Sequence, residues 1–347
     1  MTDQTVTAAN TDPTVPSTLD RAYGALAGLA LGDALGMPTQ SLPRSDVQAR
    51  YGRITGFVDG APDQPIAPEM TGGSVTDDTE QAILVANLLL DGDGHIEPRG
   101  FASALIDWEQ SMIRRGSRDL LGPSTKSALM ALQSGADPGE AGRYGTTNGA
   151  AMRIAPVGIA TAVGPLLLQR ILQASSVTHN TGLGISAAAA IAVAVSAGIQ
   201  GASTKAALRA GLSAADSCRD EGSWVAGASI HDRYQAMVPI ARRLDEVEFA
   251  DFLYNVVGTS VQSQESVVSA LLLVERYHHD PFQGLCTAAS LGGDTDTIAA
   301  IAGSILGACH GASALPSAEL QILEKINNLG LEPLAEGLLV LRSHSGV

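Results

Sequence analysis

The chain has 347 residues, a formal net charge of −15, 45% apolar residues, 4% aromatic residues and 38 glycines. It is long enough to bury a sizeable core, which Ala, Leu, Ile and Val must fill at close helix–helix distances. The acid excess, unrelieved by any basic tract, argues against a nucleic-acid backbone as partner.

Three cysteines, Cys218, Cys286 and Cys309, are odd in number and lack CxxC spacing. This pattern fits a reducing cytoplasm and neither a zinc knuckle nor a disulfide frame. No basic–apolar–small signal pattern opens the chain. The longest apolar run, Ile185 to Ile199, is shorter than the ~20 residues a bilayer requires, so it reads as a core helix and no membrane is expected.

Taken in order, residues 1–18 are rich in Thr, Ala, Asp and Pro and read as a disordered tail. A helix begins at Leu19 with Asp20 as its cap, carries Gly24, Gly28 and Gly32 on one approach face, and ends in Gly32-Asp-Ala-Leu-Gly36. Asp33 within it is either a buried hydrogen-bond partner or a site carboxylate, the structural role being favoured. A long Pro/Gly-rich loop from Met37 to Gly73 holds a short strand around Ile54 to Val58. Helices then cover Thr79–Leu90, Phe101–Ile113 and Ser124–Ser134. Asp91-Gly-Asp-Gly94 lacks the spacing of a calcium loop and reads as a turn.

Thr146-Thr-Asn-Gly-Ala-Ala-Met-Arg-Ile-Ala155 brings a polar turn to a helix start, which is either a plain cap or an anion-facing end. Val177-Thr-His-Asn-Thr181 places His179 in a polar turn before the Ala-rich helix. Further helices follow from Asp245 to His278, with Gly258 to Ser266 as a polar connection, and the end from Ser317 to Arg342 is helical. The turns fit neither GxGxxG after a strand nor GxxxxGK[ST]. Helical periodicity dominates, no composition break divides the chain, and an all-α, compact single domain over residues 19–342 is expected.

Two stretches dominate the chemistry. Gly72-Gly-Ser-Val-Thr-Asp-Asp-Thr-Glu80 and Leu291-Gly-Gly-Asp-Thr-Asp-Thr297 each place two glycines before a Thr/Asp cluster that opens an apolar helix. In a regular helix Asp294 and Asp296 would point roughly 200° apart, so they converge only if Asp294 lies in the turn and Asp296 in the first helical turn. Alone, either stretch is as readily an elaborate cap as a metal site. Together, Asp77, Asp78, Asp294 and Asp296 would repel one another unless cations compensate. A two-metal site of hard oxygen ligands, suited to Mg²⁺, Mn²⁺ or Ca²⁺, accounts for both turns at once.

The set Gly32-Asp-Ala-Leu-Gly36, Thr76-Asp-Asp-Thr79, Asn148-Gly-Ala-Ala-Met-Arg153, Thr178-His179 and Gly292-Gly-Asp-Thr-Asp-Thr297 resembles the ADP-ribosylglycohydrolases, from about Leu19 to Arg342. The resemblance implies a compact all-α fold with two Mg²⁺ or Mn²⁺ ions at the base of a cleft. It implies Thr76, Asp77, Asp78, Asp294, Asp296 and Thr297 as metal ligands. It implies Asn148, Gly149 and His179, and less directly Gly145 and Thr146, as substrate-binding positions. Gly-Met-Pro-Thr-Gln40, Pro43-Arg-Ser45 and Gly122-Pro-Ser-Thr-Lys126 look most like a bacterial branch with poorly defined substrates. Relatives of that branch place Glu where this chain has Gln40.

The implied reaction is hydrolysis at the ribose anomeric carbon of an ADP-ribosylated protein side chain or a small ADP-ribose adduct. Asp77, Asp78 or Asp296 would accept the proton of the attacking water, and Gln40 stands where a further catalytic carboxylate is expected. Two alternatives remain open: an N-riboside or nucleoside hydrolase, and a catalytically weak ADP-ribose binder, which Gln40 would favour.

Overall fold

The structure is a computed structural model that describes residues 15–118 and 121–344. Among these residues no strand forms, and extended pairing is limited to three isolated bridges. The helices in order are α1 Thr18–Gly36, α2 Arg44–Tyr51, α3 Asp77–Asp91, α4 Pro98–Arg114, α5 Pro123–Gln133 and α6 Pro138–Ala141. Next come α7 Gly149–Met152, α8 Ala155–Ala160, α9 Pro165–His179, α10 Gly182–Ile199, α11 Thr204–Ser217 and α12 Ile230–Ala241. The last are α13 Glu246–Phe252, α14 Ser263–Arg276, α15 Pro281–Ala289, α16 Thr295–His310, α17 Ser317–Asn327 and α18 Leu331–His344. The all-α expectation holds.

The central pair is α1 against α16, and glycine spacing explains how close they lie. A Cβ added at Gly24, Gly28, Gly32 or Gly36 would stand 2.5 Å or less from the backbone of Gly307, Gly303, Ala299 or Asp296, respectively. Four glycines spaced four apart thus form one backbone-to-backbone seam running antiparallel along both helices. The seam's last contact sets the start of α16 directly against the end of α1.

Around that pair the core is built from small aliphatic residues. Helix α10 is buried from Leu183 to Ile199. It is apolar and long enough to cross a bilayer, yet its neighbours enclose it. Two arginines strap the layers together: Arg21 donates to the carbonyls of Gly198, Ala308 and Cys309, and Arg342 to those of Gly158, Ile159, Thr161 and Ser196. Cys218, Cys286 and Cys309 are all buried, and burial raises their thiols to about 11, 12 and 11.

Several local expectations are corrected. Residues 1–14 of the expected tail lie outside the described residues, but α1 already starts at Thr18, where Ser17 accepts from Asp20 N at 3.0 Å and is the true cap. The Asp20 carboxylate instead reaches Ser313 N and Oγ. Ile54 to Val58 forms no strand: Ile54 N donates to Ser290 Oγ, and no neighbouring chain offers a ladder. His179 is not in a turn but ends α9, because the helix begun at Pro165 runs on through Val177 and Thr178.

Candidate active site

Helices α3 and α16 begin in the same way. Thr76 and Asp294 occupy the cap positions, and Asp78 and Asp296 lie in the first turns. Gly292 and Gly293, at φ +85° and +84°, make the turn that lets Asp294 stand outside the helix while Asp296 is inside it. Neither cap residue's side chain accepts a capping hydrogen bond from its own helix's backbone. For α3 that work is done from α1. The fully buried Asp33 carboxylate accepts from Thr76 N (3.1 and 3.0 Å) and Thr79 N (3.1 Å), and from the hydroxyls of Thr76 (2.7 Å) and Thr79 (2.5 Å). Asp33 is therefore the structural partner, capping α3 from outside.

The two turns meet. Thr297 Oγ1 donates to Asp78 Oδ2 at 3.1 Å across 219 positions. Asn148 donates through Nδ2 to Asp294 Oδ2 at 2.5 Å and to Ser266 Oγ at 2.9 Å. The Gln40 loop is stitched to the glycine turn by Ser41 N to Gly293 O (2.7 Å) and Gly293 N to Leu42 O (2.9 Å). These contacts border a cleft of about 300 Å³. Asp77, Asp294, Asp296 and Thr297 lie on its floor with Gln40, while Thr147, Asn148, Gly149, Met152, Lys126 and Arg118 line its walls.

Carboxylates are crowded and desolvated here. Burial pushes the Asp294 carboxyl up to about 6, against the opposing hydrogen bonds from Asn148 and Thr297. Burial first, then Asp77, Asp296, Asp33 and Asp294, hold Asp78 well above the ordinary carboxylate range. Asp78 Oδ1 is buried and makes no hydrogen bond, an expense a fold tolerates where something else is to be bound. Among the described residues no three His, Cys, Asp or Glu side chains already close on one point, so the oxygens surround the floor rather than form a finished cage. The donor set, carboxylates and threonine hydroxyls with no soft ligand, fits Mg²⁺ or Mn²⁺.

The family model of the ADP-ribosylglycohydrolases matches residues 14–346. The chain belongs to the ADP-ribosylglycohydrolase family. It is 36% identical over 326 residues to the uncharacterised protein YegU of Escherichia coli K12, covering 93% of this chain and 97% of that one. It is 28% identical to the ADP-ribosyl-[dinitrogen reductase] glycohydrolase of Rhodospirillum rubrum, covering 94% of this chain and 98% of that one. Among solved structures, one described as an ADP-ribosylglycohydrolase-related protein complex aligns with TM-score 0.67 and 27% identity, over 94% of this chain and 99% of that one.

Within this ADP-ribosylglycohydrolase chain, the six candidate ligands gather at the facing ends of α3 and α16, and Asn148 and Gly149 reach the cleft. Thr76 and Asp78 among the candidate ligands, and three candidate binding residues, do not line it. His179 is fully buried behind Thr147, and Gly145 packs against the Thr178 carbonyl, its own carbonyl accepting from Thr181 Oγ1. Thr146 is half-buried at the edge, donating through its N–H to Ser124 Oγ at 3.3 Å and accepting at its carbonyl from Ser263 N. Sequence reasoning passed over Thr147, Arg118, Lys126 and the buried Arg153. Thr147, Arg153 and Lys126 lie inside stretches already singled out, while no local pattern marks Arg118.

Proposed function

We propose that this chain is a metal-dependent hydrolase that cleaves the glycosidic bond at the ribose anomeric carbon of ADP-ribosylated protein side chains or small ADP-ribose adducts. The observation that carries the reading is the meeting of two helix N-termini, which brings Asp77, Asp294 and Asp296 to one cleft, with Asp78 buried beside them and joined to Thr297. The named activities of its relatives support the substrate class.

Thr76, Asp77 and Asp78 from one turn, and Asp294, Asp296 and Thr297 from the other, are the residues that would hold two Mg²⁺ or Mn²⁺ ions. Such ions supply positive charge that orients ribose hydroxyls and eases deprotonation of water. The protein's own part is otherwise electrostatic and positional. Carboxylates on the floor stabilise the positive charge that develops at the anomeric carbon in an oxocarbenium-like transition state. Asp77, Asp78 and Asp296 are the candidates to take the proton of the attacking water. Asn148 fixes Asp294, and Gly149, without a side chain, makes room for the His179 ring behind the wall.

Release of free ADP-ribose from arginine- and serine-linked ADP-ribosyl peptides, and of free ribose from a nucleoside control, tests the proposal. Release from an ADP-ribosyl peptide that EDTA stops and Mg²⁺ or Mn²⁺ restores is expected. Hydrolysis of the nucleoside alone would move the assignment to a riboside hydrolase. Gln40 favours a second reading, a slow catalyst that chiefly binds ADP-ribose.

A further inference from the structure

A continuous line of hydrogen bonds runs behind the cleft, and both of its ends are on the cleft surface. From the wall, Thr147 Oγ1 meets His179 Nε2 at 3.0 Å, and His179 Nδ1 meets Thr178 Oγ1 at 2.8 Å. Arg153 Nη2 reaches Thr178 Oγ1 at 2.6 Å, and Arg153 Nη1 reaches Gln81 Oε1 at 2.7 Å. Gln81 Nε2 then reaches Asp77 Oδ2 at 2.7 Å, on the floor. Arg153, Thr178 and His179 are fully buried.

The direction of every bond follows from Arg153, because a guanidinium can only donate. Towards the floor, Gln81 must accept through its oxygen, so its nitrogen donates to Asp77. Towards the wall, Thr178 Oγ1 accepts from Arg153, and among the hydrogen bonds of the described residues His179 Nδ1 is the acceptor that its own buried proton has, so Thr178 donates to it. His179 must then carry its proton on Nε2 and donate to Thr147. Thr147, having accepted, keeps its own O–H for the cleft. A flipped imidazole would set ring carbons against Thr147 and Thr178 and lose both hydrogen bonds, so the ring keeps this orientation. Burial, then the charge of Arg153, hold the ring well below the ordinary histidine range, and it stays neutral.

We propose that Arg153 polarises this chain so that Thr147 presents a hydrogen-bond donor to a substrate oxygen, with His179 acting as a positioning residue through its Nε2–H tautomer. The role rests on the functional reading above, but the order of protons does not. It also accounts for a histidine at a family motif that has no surface in the cleft.

The first test needs no ligand. The full chain labelled with ¹⁵N-histidine, with His179 assigned from a His179→Gln spectrum, should show His179 at neutral pH as the Nε2–H tautomer alone. An Nδ1–H tautomer or an imidazolium would overturn the proposal. The second test is calorimetric binding of ADP-ribose. Thr147→Val should weaken it roughly fivefold to tenfold, the worth of one hydrogen bond, and Thr147→Ser should restore it. Thr178→Val, close in shape, should mix the tautomers, weaken binding to a similar degree and add nothing to Thr147→Val. Unchanged affinity in Thr147→Val would refute the donor role. No ADP-ribose binding by any form would strike the functional reading instead, and the tautomer of the free protein would still decide the relay.

Discussion

Asn148 and Asp294, 146 positions apart, are joined by a 2.5 Å hydrogen bond from the amide Nδ2 to the carboxylate Oδ2. The bond aims one carboxylate oxygen at the wall and so orients the other, as partners of metal ligands commonly do. Asn148→Ala should therefore weaken Mn²⁺ binding by roughly tenfold or more, measured by calorimetry, while the far-ultraviolet circular dichroism stays that of a helical protein. Loss confined to substrate affinity, with Mn²⁺ binding intact, would show that Asn148 serves the substrate alone.

Gly28 faces Gly303 across the α1–α16 seam, where an added Cβ would come within 2.3 Å of the Gly303 carbonyl oxygen. Neither helix can yield without moving Gly36 off Asp296 and so disturbing the cleft floor. Gly28→Ala should cost about 1–3 kcal/mol in denaturant unfolding, the usual range for overpacking. The same change at Gly52, where a Cβ meets nothing within 4 Å, lies at a positive φ and would report backbone strain alone. A Gly28→Ala midpoint equal to that of the parent would mean that the seam is looser than its geometry.

How much of this was legible follows from what each signal depends on. Gly24, Gly28 and Gly32 announced a close helix partner because spacing of four is a local property, but nothing local named α16. The two turns at Thr76 and Asp294 were readable because repulsion among four aspartates needs an explanation at any separation. Asp33 was correctly weighted as structural, yet its task of capping α3 needs the packing of α1. The Thr and Asn around His179 suggest a turn, whereas helix α9 runs on through Thr178 to His179, whose ring is satisfied internally by Thr147 and Thr178. Arg153 closes a motif, but its role is not legible there because it depends on partners at positions 81 and 178.

Gln40 sits on the cleft floor, nearly buried, with its carbonyl held by Gln64 Nε2 at 2.8 Å. Its side-chain Nε2 is buried without a hydrogen bond. An amide there can neither act as a useful base nor neutralise a cation, while a carboxylate of the same reach can do both. Gln40→Glu should raise the single-turnover hydrolysis rate at least tenfold, about 1.4 kcal/mol of barrier. Equal rates and identical pH profiles would show that the aspartates suffice and that position 40 merely shapes the loop.

The central claim is that the turns at Asp77 and Asp294 form one cation-dependent site, and a double-mutant cycle on Mn²⁺ binding tests it most directly. Calorimetry on the parent, Asp77→Ala, Asp294→Ala and the double variant should show each single change removing most of the binding, and the double variant losing little more than either single. Two independent losses that add in free energy would contradict the account, because the turns would then serve separate sites.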